Sequence, residues 1–390
     1  MGDLIAARPN RLGRLEQDSL LRKLENRRSP QWPEVEIAGK KYINFCNNDY
    51  LGMSNHPRVI DRVQDELRTY GFGSAGAALL TGRCSLHAEL ENKIAEFTGF
   101  EGALLYSSGY LANLGALGAL IKSKDLVFHD RLNHASLIDA VLSTKSGHRR
   151  YPHLGLPPTK PVSDSSQQFV VTESVFGMDG DKINTQSLLE CCINKKATLF
   201  IDDAHGFGVT GSGRGIASDL ADYGHRLPEV LVMVTLGKAL GSCGGMVLAS
   251  QEIIQYLVQF SRPFIYDTAP PPVVAAAALE ALAILGEDNM LICQLERNIS
   301  VFREMASRAG IPITDSTTPI QPIVVGESLK ALRLEELLKE NGIYARAIRP
   351  PTVPKNTARL RITLSTRHTV TQIRMLVEAL ENALFSDGYE

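Results

Sequence analysis

The stretch LVMVTLGKALGSCGG, residues 231–245, holds a single charged side chain, Lys238. Its first part, Leu231 to Thr235, is apolar without alternation, the pattern of a strand covered on both faces. An unpartnered ammonium in such surroundings is costly, so a lysine there sheds its proton or finds a ligand. The stretch therefore predicts a buried strand followed by a lysine that is either a misfit on an exposed turn or a tuned nucleophile.

Similar runs lie to either side: ALLYSS (103–108), DLVFHD (125–130), QFVVTES (168–174), ATLFID (197–202) and GGMVLAS (244–250). Helical patterns separate or precede them. HPRVIDRVQDELRTYG (56–71) has Pro57 in its first turn, Val59, Ile60, Val63 and Leu67 on one face, and Gly71 at its end. SLHAELENKIAEFTG (85–99) repeats the design with Leu86, Leu90, Ile94 and Phe97 inward. Strand and helix in succession predict an α/β domain with a largely parallel sheet, whose ligands bind beyond the carboxyl ends of the strands.

After residue 286 the rhythm changes. IQPIVVG (320–326), a helix over SLKALRLEELLKENG (328–342), ARLRITLS (358–365) and a last helix from Thr369 to about Phe385 predict a smaller α+β domain. The expected division is an N-terminal segment, 1–40, packing on the rest, a large domain, 41–285, and a small domain, 286–390.

Composition narrows the class of function. The chain has 390 residues, 41 basic against 43 acidic, which excludes a strongly basic surface for nucleic acid or for membranes. The cysteines (Cys46, Cys84, Cys191, Cys192, Cys243 and Cys293) form no C-x-x-C pair, so reduced thiols and no metal are expected. The first residues, MGDLIAARPNRLGRLEQD, lack an apolar signal core, which places the expectation in the cytoplasm, off the membrane.

Two glycine runs imitate dinucleotide fingerprints. GFGSAG (71–76) follows a helix, whereas the fingerprint must follow a strand. GFGVTG (206–211) follows ATLFID, yet Asp202, Asp203 and His205 intervene where a pyrophosphate would approach. Tight turns or close backbone approaches explain both.

The strand ends carry the chemistry. One run finishes at Asp202, with His205 three residues on; another finishes at Thr235, followed by Lys238. His134 lies just past a third, and Ser107, Ser108, Gly109 and Tyr110 end a fourth at the start of a helix. Each residue alone admits a structural reading as cap, turn or surface group. Together they match the needs of pyridoxal phosphate: a lysine for its aldehyde, a carboxylate for its ring nitrogen, a flat neighbour for its ring, and a helix start for its phosphate.

At this point the chain resembles the α-oxoamine synthases, pyridoxal-phosphate enzymes of the aspartate-aminotransferase fold (fold type I). The resemblance is carried by NFCNNDYLG (44–52), SSGYLANLGAL (107–117), DRLNHASLIDA (130–140), VVTESVFGMDGD (170–181), IDDAHGFGVTGSGRG (201–215), VTLGKALGSCGG (234–245) and AIRPPTVPKNTARLRITLS (347–365). GSAG (73–76) and IRPPTVP (348–354) lean toward the branch that serves biotin synthesis. There the resemblance implies decarboxylative condensation of L-alanine with a pimeloyl thioester. Glycine C-acetyltransferases share the cofactor motifs, and a pyridoxal aminotransferase would use the same cofactor residues.

The resemblance also implies roles. Lys238 would form the Schiff base and then act as acid and base, Asp202 would pair with the ring nitrogen, His205 with the phenolic oxygen, and His134 would stack on the ring. Gly109, Tyr110 and Thr235 would hold the phosphate side, joined by Tyr266 and Thr268 of a second subunit in a homodimer. Arg361, helped by Asn48, would grip the amino-acid carboxylate, and Arg22 and Thr352 would lie near the acyl substrate. Three positions depart from the family. Gly177 replaces a usual serine, and whether Ser174, three residues earlier, substitutes is open; Asp267 puts an acid near the phosphate; Arg83 stands where tyrosine or asparagine is common.

Overall fold

A computed structural model describes residues 12–158, 167–223, 227–287 and 289–385; residues 1–11 of the N-terminal stretch read above lie outside the described residues. The chain divides into two compact units, a larger one of Asn48–Gly177 and Asp181–Gln294, and a smaller one of Met1–Asn47, Met178–Gly180 and Leu295–Glu390.

In the smaller unit a helical stretch at 12–17 precedes a hairpin of β1 (Glu34–Ile37) and β2 (Lys40–Asn44), paired antiparallel. Its two turn residues, Ala38 and Gly39, both have positive φ, the twist that suits a two-residue hairpin.

The larger unit holds, among the described residues, a seven-stranded sheet. Its strands are β3 (Gly102–Tyr106), β4 (Leu126–Asp130), β5 (Gly147–Tyr151), β6 (Gln168–Glu173), β7 (Thr198–Asp202), β8 (Val230–Thr235) and β9 (Gly245–Ala249), in the order β3-β9-β8-β7-β6-β4-β5. Pairs β4–β5, β4–β6, β6–β7 and β7–β8 are parallel, and β9 alone runs against both its neighbours. The mainly parallel α/β sheet expected from the apolar runs is present. β3, β4, β7 and β9 are buried along their whole length, each large apolar side chain contributing about 1.5–3 kcal/mol. β5, GHRRY, is exposed except at Tyr151; an edge strand tolerates such charge, and the apolar-run reading passed over it.

Helices cover the sheet: α1 (Pro57–Tyr70), α2 (Ser85–Thr98), α3 (Gly109–Leu120), α4 (Ala135–Ser143), α5 (Thr185–Lys195), α6 (Ile216–Ala221), α7 (Gln251–Phe260), α8 (Arg262–Tyr266) and α9 (Pro272–Glu287). Pro57 opens α1 and Gly71 caps it, as the sequence predicts, but its apolar face is only partly covered. Val59 is buried, whereas Ile60 and Leu67 are 38% and 41% exposed. α3 is apolar on nearly every side and buries Ala112, Gly115, Ala116 and Leu117; its N-cap Ser108 accepts from the Leu111 N–H at 3.2 Å.

The C-terminal part of the smaller unit adds β10 (Ile320–Gly326), α10 (Ser328–Glu340), β11 (Ile343–Tyr344), β12 (Arg346–Ile348), β13 (Ala358–Thr363) and α11 (Val370–Phe385). β11 pairs parallel with β2, and β10-β13-β12 form an antiparallel sheet. Among the described residues no helix is long and apolar enough to cross a membrane.

Candidate active site

Parallel neighbours in register bring their last residues together. Glu173 of β6 stands opposite Asp202 of β7, and Asp202 opposite Met233 of β8, two residues before Thr235. Asp202 is 4% exposed. Its Oδ2 accepts from Asn113 Nδ2 at 2.7 Å and its Oδ1 from the Ala204 N–H at 3.0 Å, so the carboxylate is held at both oxygens.

The chain then turns sharply through Ala204–Thr210. The turn keeps His205 buried, with Nε2 at 2.8 Å from Lys238 Nζ and Nδ1 at 2.7 Å from the Tyr50 hydroxyl. Gly208, at φ +78°, sits where a Cβ would overlap that of Ala239, beside Lys238. GFGVTG thus serves as a close backbone approach under the lysine turn. Lys238 is half-buried, not enclosed as the apolar stretch suggests, because the turn after β8 lifts it from the core.

His134 caps α4. Its Nδ1 accepts from the Ser136 N–H at 3.2 Å and lies 2.8 Å from Ser136 Oγ, which also accepts from Asn113 Nδ2 at 2.8 Å. A continuous chain of hydrogen bonds therefore runs from Asp202 through Asn113 and Ser136 to His134. Crowding of the His134 ring lowers its pKa against the pull of Asp202's charge, and Lys238's charge lowers it further. The His134 N–H donates to Glu173 Oε1 at 2.6 Å. Burial, with the adjoining Asp202 charge, pushes the Glu173 carboxyl up to about 8.

Among the remaining expected residues of the larger unit, Gly109 begins α3, and the Tyr110 hydroxyl donates to Asp139 while its ring meets His134 edge-on at 6.3 Å. Thr235 Oγ1 donates to the Gly244 carbonyl at 3.0 Å and accepts from the Gly237 N–H at 3.3 Å. Asn48 Oδ1 is 3.3 Å from the Tyr50 hydroxyl. Tyr266, 71% exposed, and Thr268, also exposed, flank Asp267, whose carboxylate accepts the Ser107 hydroxyl just before the α3 cap. Arg83 pairs with the buried Glu91 of α2.

Whether Ser174 substitutes for the missing serine is answered by its bonding. Ser174 Oγ donates to Asp203, whose other oxygen accepts the Ile216 N–H at 2.9 Å, so that hydroxyl is engaged in holding the turn after β7. At Gly177 a Cβ would overlap His205 Nε2 and stand 3.0 Å from Cδ2. Glycine here lets the backbone lie directly against the imidazole.

In the smaller unit, Arg22 Nη2 donates to Thr352 Oγ1 at 3.2 Å, and the buried Arg361 donates to Thr363 Oγ1 at 3.0 Å. Sequence reasoning missed Tyr50, Asn113 and Glu173. Asn113 is the lone polar side chain after Tyr110 in an apolar helix, and Glu173 ends an apolar run as Asp202 does, so both carried a signal; Tyr50 carried none.

A mainly parallel sheet of this order, with lysine, aspartate and imidazoles at its carboxyl edge, defines the aminotransferase fold of type I. The model of the family described as aminotransferase class I and II matches residues 40–380, and the chain belongs to that family, in its α-oxoamine synthase branch. It is 45% identical to an 8-amino-7-oxononanoate synthase of Stutzerimonas stutzeri (strain A1501), over 95% of each chain. It is 44% identical to one of Pseudomonas savastanoi pv. phaseolicola, over 95% of this chain and 94% of that one. Among solved structures it is similar to a serine palmitoyltransferase from S. paucimobilis with a bound PLP–myriocin aldimine, at TM-score 0.89 and 25% identity, covering 98% and 97% of the two chains. An 8-amino-7-oxononanoate synthase from Francisella tularensis matches at TM-score 0.75 and 31% identity, covering 88% of this chain and 98% of that one.

Proposed function

We propose that the chain is a pyridoxal-phosphate-dependent acyltransferase that condenses L-alanine with a pimeloyl thioester. The products are 8-amino-7-oxononanoate, carbon dioxide and free coenzyme A or carrier, in biotin synthesis. The observation that carries the reading is the Lys238–His205 contact at 2.8 Å, three residues along the chain from Asp202. Relatives at 44–45% identity over nearly the whole chain support the choice of substrates by their names.

The residues fit pyridoxal phosphate. Lys238 offers a primary amine at a half-buried turn, Asp202 a carboxylate held by Asn113, and α3 a helix start without a side chain at Gly109, where a Cβ would crowd Met233 Sδ at 3.3 Å. When bound, the cofactor supplies an aldehyde that takes an amine and a ring that withdraws electrons from the bond being broken.

The protein supplies the rest. Lys238 Nζ takes the proton from the amino-acid Cα and returns one after carbon dioxide has left, with His205 holding the amine in place. Asp202 keeps a proton on the ring nitrogen, and the Asn113–Ser136 chain keeps Asp202 and His134 in mutual alignment. His134 would cover a face of the cofactor ring, and Gly109, Tyr110 and Thr235 would hold its phosphate. Arg361 and Asn48 take the substrate carboxylate, and Arg22 with Thr352 lines the acyl side. Tyr266 and Thr268, both exposed, would reach the phosphate side of a second copy in a homodimer, and the cytoplasm is the location proposed for it.

Coenzyme A release by the pyridoxal-loaded protein tests the reading. Release with L-alanine and pimeloyl-CoA, and not with L-serine and palmitoyl-CoA or glycine and acetyl-CoA, is the expected result. Release with either of the other pairs instead moves the chain to a sister activity, for which the higher structural likeness to serine palmitoyltransferase is the specific motive.

A further inference from the structure

A charged cluster stands outside the residues assigned above. His153, two residues beyond β5, places Nδ1 at 3.0 Å from Asp130 Oδ1 and Nε2 at 2.9 Å from Asp181 Oδ2. Asp130, the last residue of β4, also accepts the Leu132 N–H at 2.8 Å and the Leu154 N–H at 2.9 Å, so both its oxygens act as acceptors. Neutral imidazole has one N–H; two carboxylate partners at opposite nitrogens are both satisfied only when each nitrogen carries a proton. Among the described residues Asp181 Oδ1 is buried and receives no donor, while its Oδ2 faces the ring.

The surroundings agree. Burial of the ring opposes its charge, but hydrogen bonds and charge from Asp130 and Asp181 outweigh burial and raise the His153 pKa to about 9. The remaining packed face is Phe176, edge-on at 4.4 Å. Tyr151, at the end of the strand leading to His153, is kept neutral by burial.

Asp181 and Phe176 belong to two arms, Ser174–Gly177 and Asp181–Ile183, that pair with each other. Val175 bridges Lys182, the Phe176 N–H donates to the Asp181 carbonyl at 3.0 Å, and the Ile183 N–H to the Ser174 carbonyl at 3.1 Å. The first arm ends at Gly177, against His205.

We propose that His153 is a positioning residue: as an imidazolium shared by Asp130 and Asp181, it clamps the paired arms to the end of β4 and so fixes Gly177 against the His205 ring. The catalytic consequence rests on the role given to His205 above; the clamp itself does not. Because the folded-state pKa is raised above the ordinary histidine value of 6.5, the clamp's stabilisation is complete below that value and is lost as pH rises through about 9.

The test is long-range proton–nitrogen NMR of the holoenzyme with labelled histidine, tractable with nine histidines. His153→Gln assigns the resonance of His153 and His205→Asn that of His205. The expected results are a His153 ring protonated at both nitrogens at neutral pH, a midpoint near 9, and a shifted His205 resonance in His153→Gln. Asp181→Asn, which preserves shape, should lower the midpoint by about one pH unit or more. A His153 that titrates at the ordinary value, or a His205 resonance unmoved by His153→Gln, overturns the proposal. If His153→Gln does not fold, Asp181→Asn decides: an unchanged midpoint is the overturning result. None of these readouts needs turnover, so failure of the proposed reaction and failure of the clamp are separate results.

Discussion

The two units use their sheets differently. In the larger one, β4, β6, β7 and β8 run the same way, so Asp130, Glu173, Asp202 and Thr235 end adjacent or near-adjacent strands along one edge. In the smaller one, β10-β13-β12 is antiparallel, so successive strands end at opposite edges. Two of its buried charges, Arg359 and Arg361, lie instead within β13, two apart and on one face. A parallel sheet gathers strand ends into a constellation in which several groups act on one another. An antiparallel strand holds its charges at fixed intervals along its own length, where Arg359 pairs with Asp179 and Arg361 donates to Thr363.

That contrast orders the expected effects of substitution. Lys238→Ala removes nucleophile and proton carrier together, and turnover should fall by about 10³-fold or more with cofactor still retained by the other groups. Steady-state rates and cofactor absorbance of the purified variant check this, and near-normal turnover breaks the assignment of the edge.

Asn113→Leu keeps the volume but removes the donor shared by Asp202 and Ser136. A hydrogen bond to a charged group contributes about 1.5–3 kcal/mol, so kcat should fall by about tenfold or more. Circular dichroism of the same sample distinguishes this loss from unfolding. An unchanged rate would mean that the strand-end groups act independently of one another.

Arg361→Lys sharpens the other side. It keeps the charge and loses the planar fork, so KM for the amino acid should rise by about tenfold while kcat changes less. An equal fall in kcat would place this strand among the cooperating groups.

The same contrast explains what could be read from sequence. Strands covered on both faces write themselves as unbroken apolar runs, against which a polar residue at or just past the end stands out, hence Asp202 and Lys238. β5 escaped because four of its five residues are exposed. Tyr50, fully buried under His205, escaped because nothing local distinguishes a tyrosine that holds an imidazole from one that fills a core. The role of Ser174 stayed open for a similar reason: its spacing from Gly177 is visible, but its bond to Asp203 depends on the turn after β7.

The most direct test of the convergent edge is chemical. Borohydride reduction of the pyridoxal-loaded enzyme, followed by digestion and mass spectrometry, locates the lysine that holds the cofactor. The account predicts the pyridoxyl group on Lys238 alone; its appearance on another lysine, or on none, would contradict it.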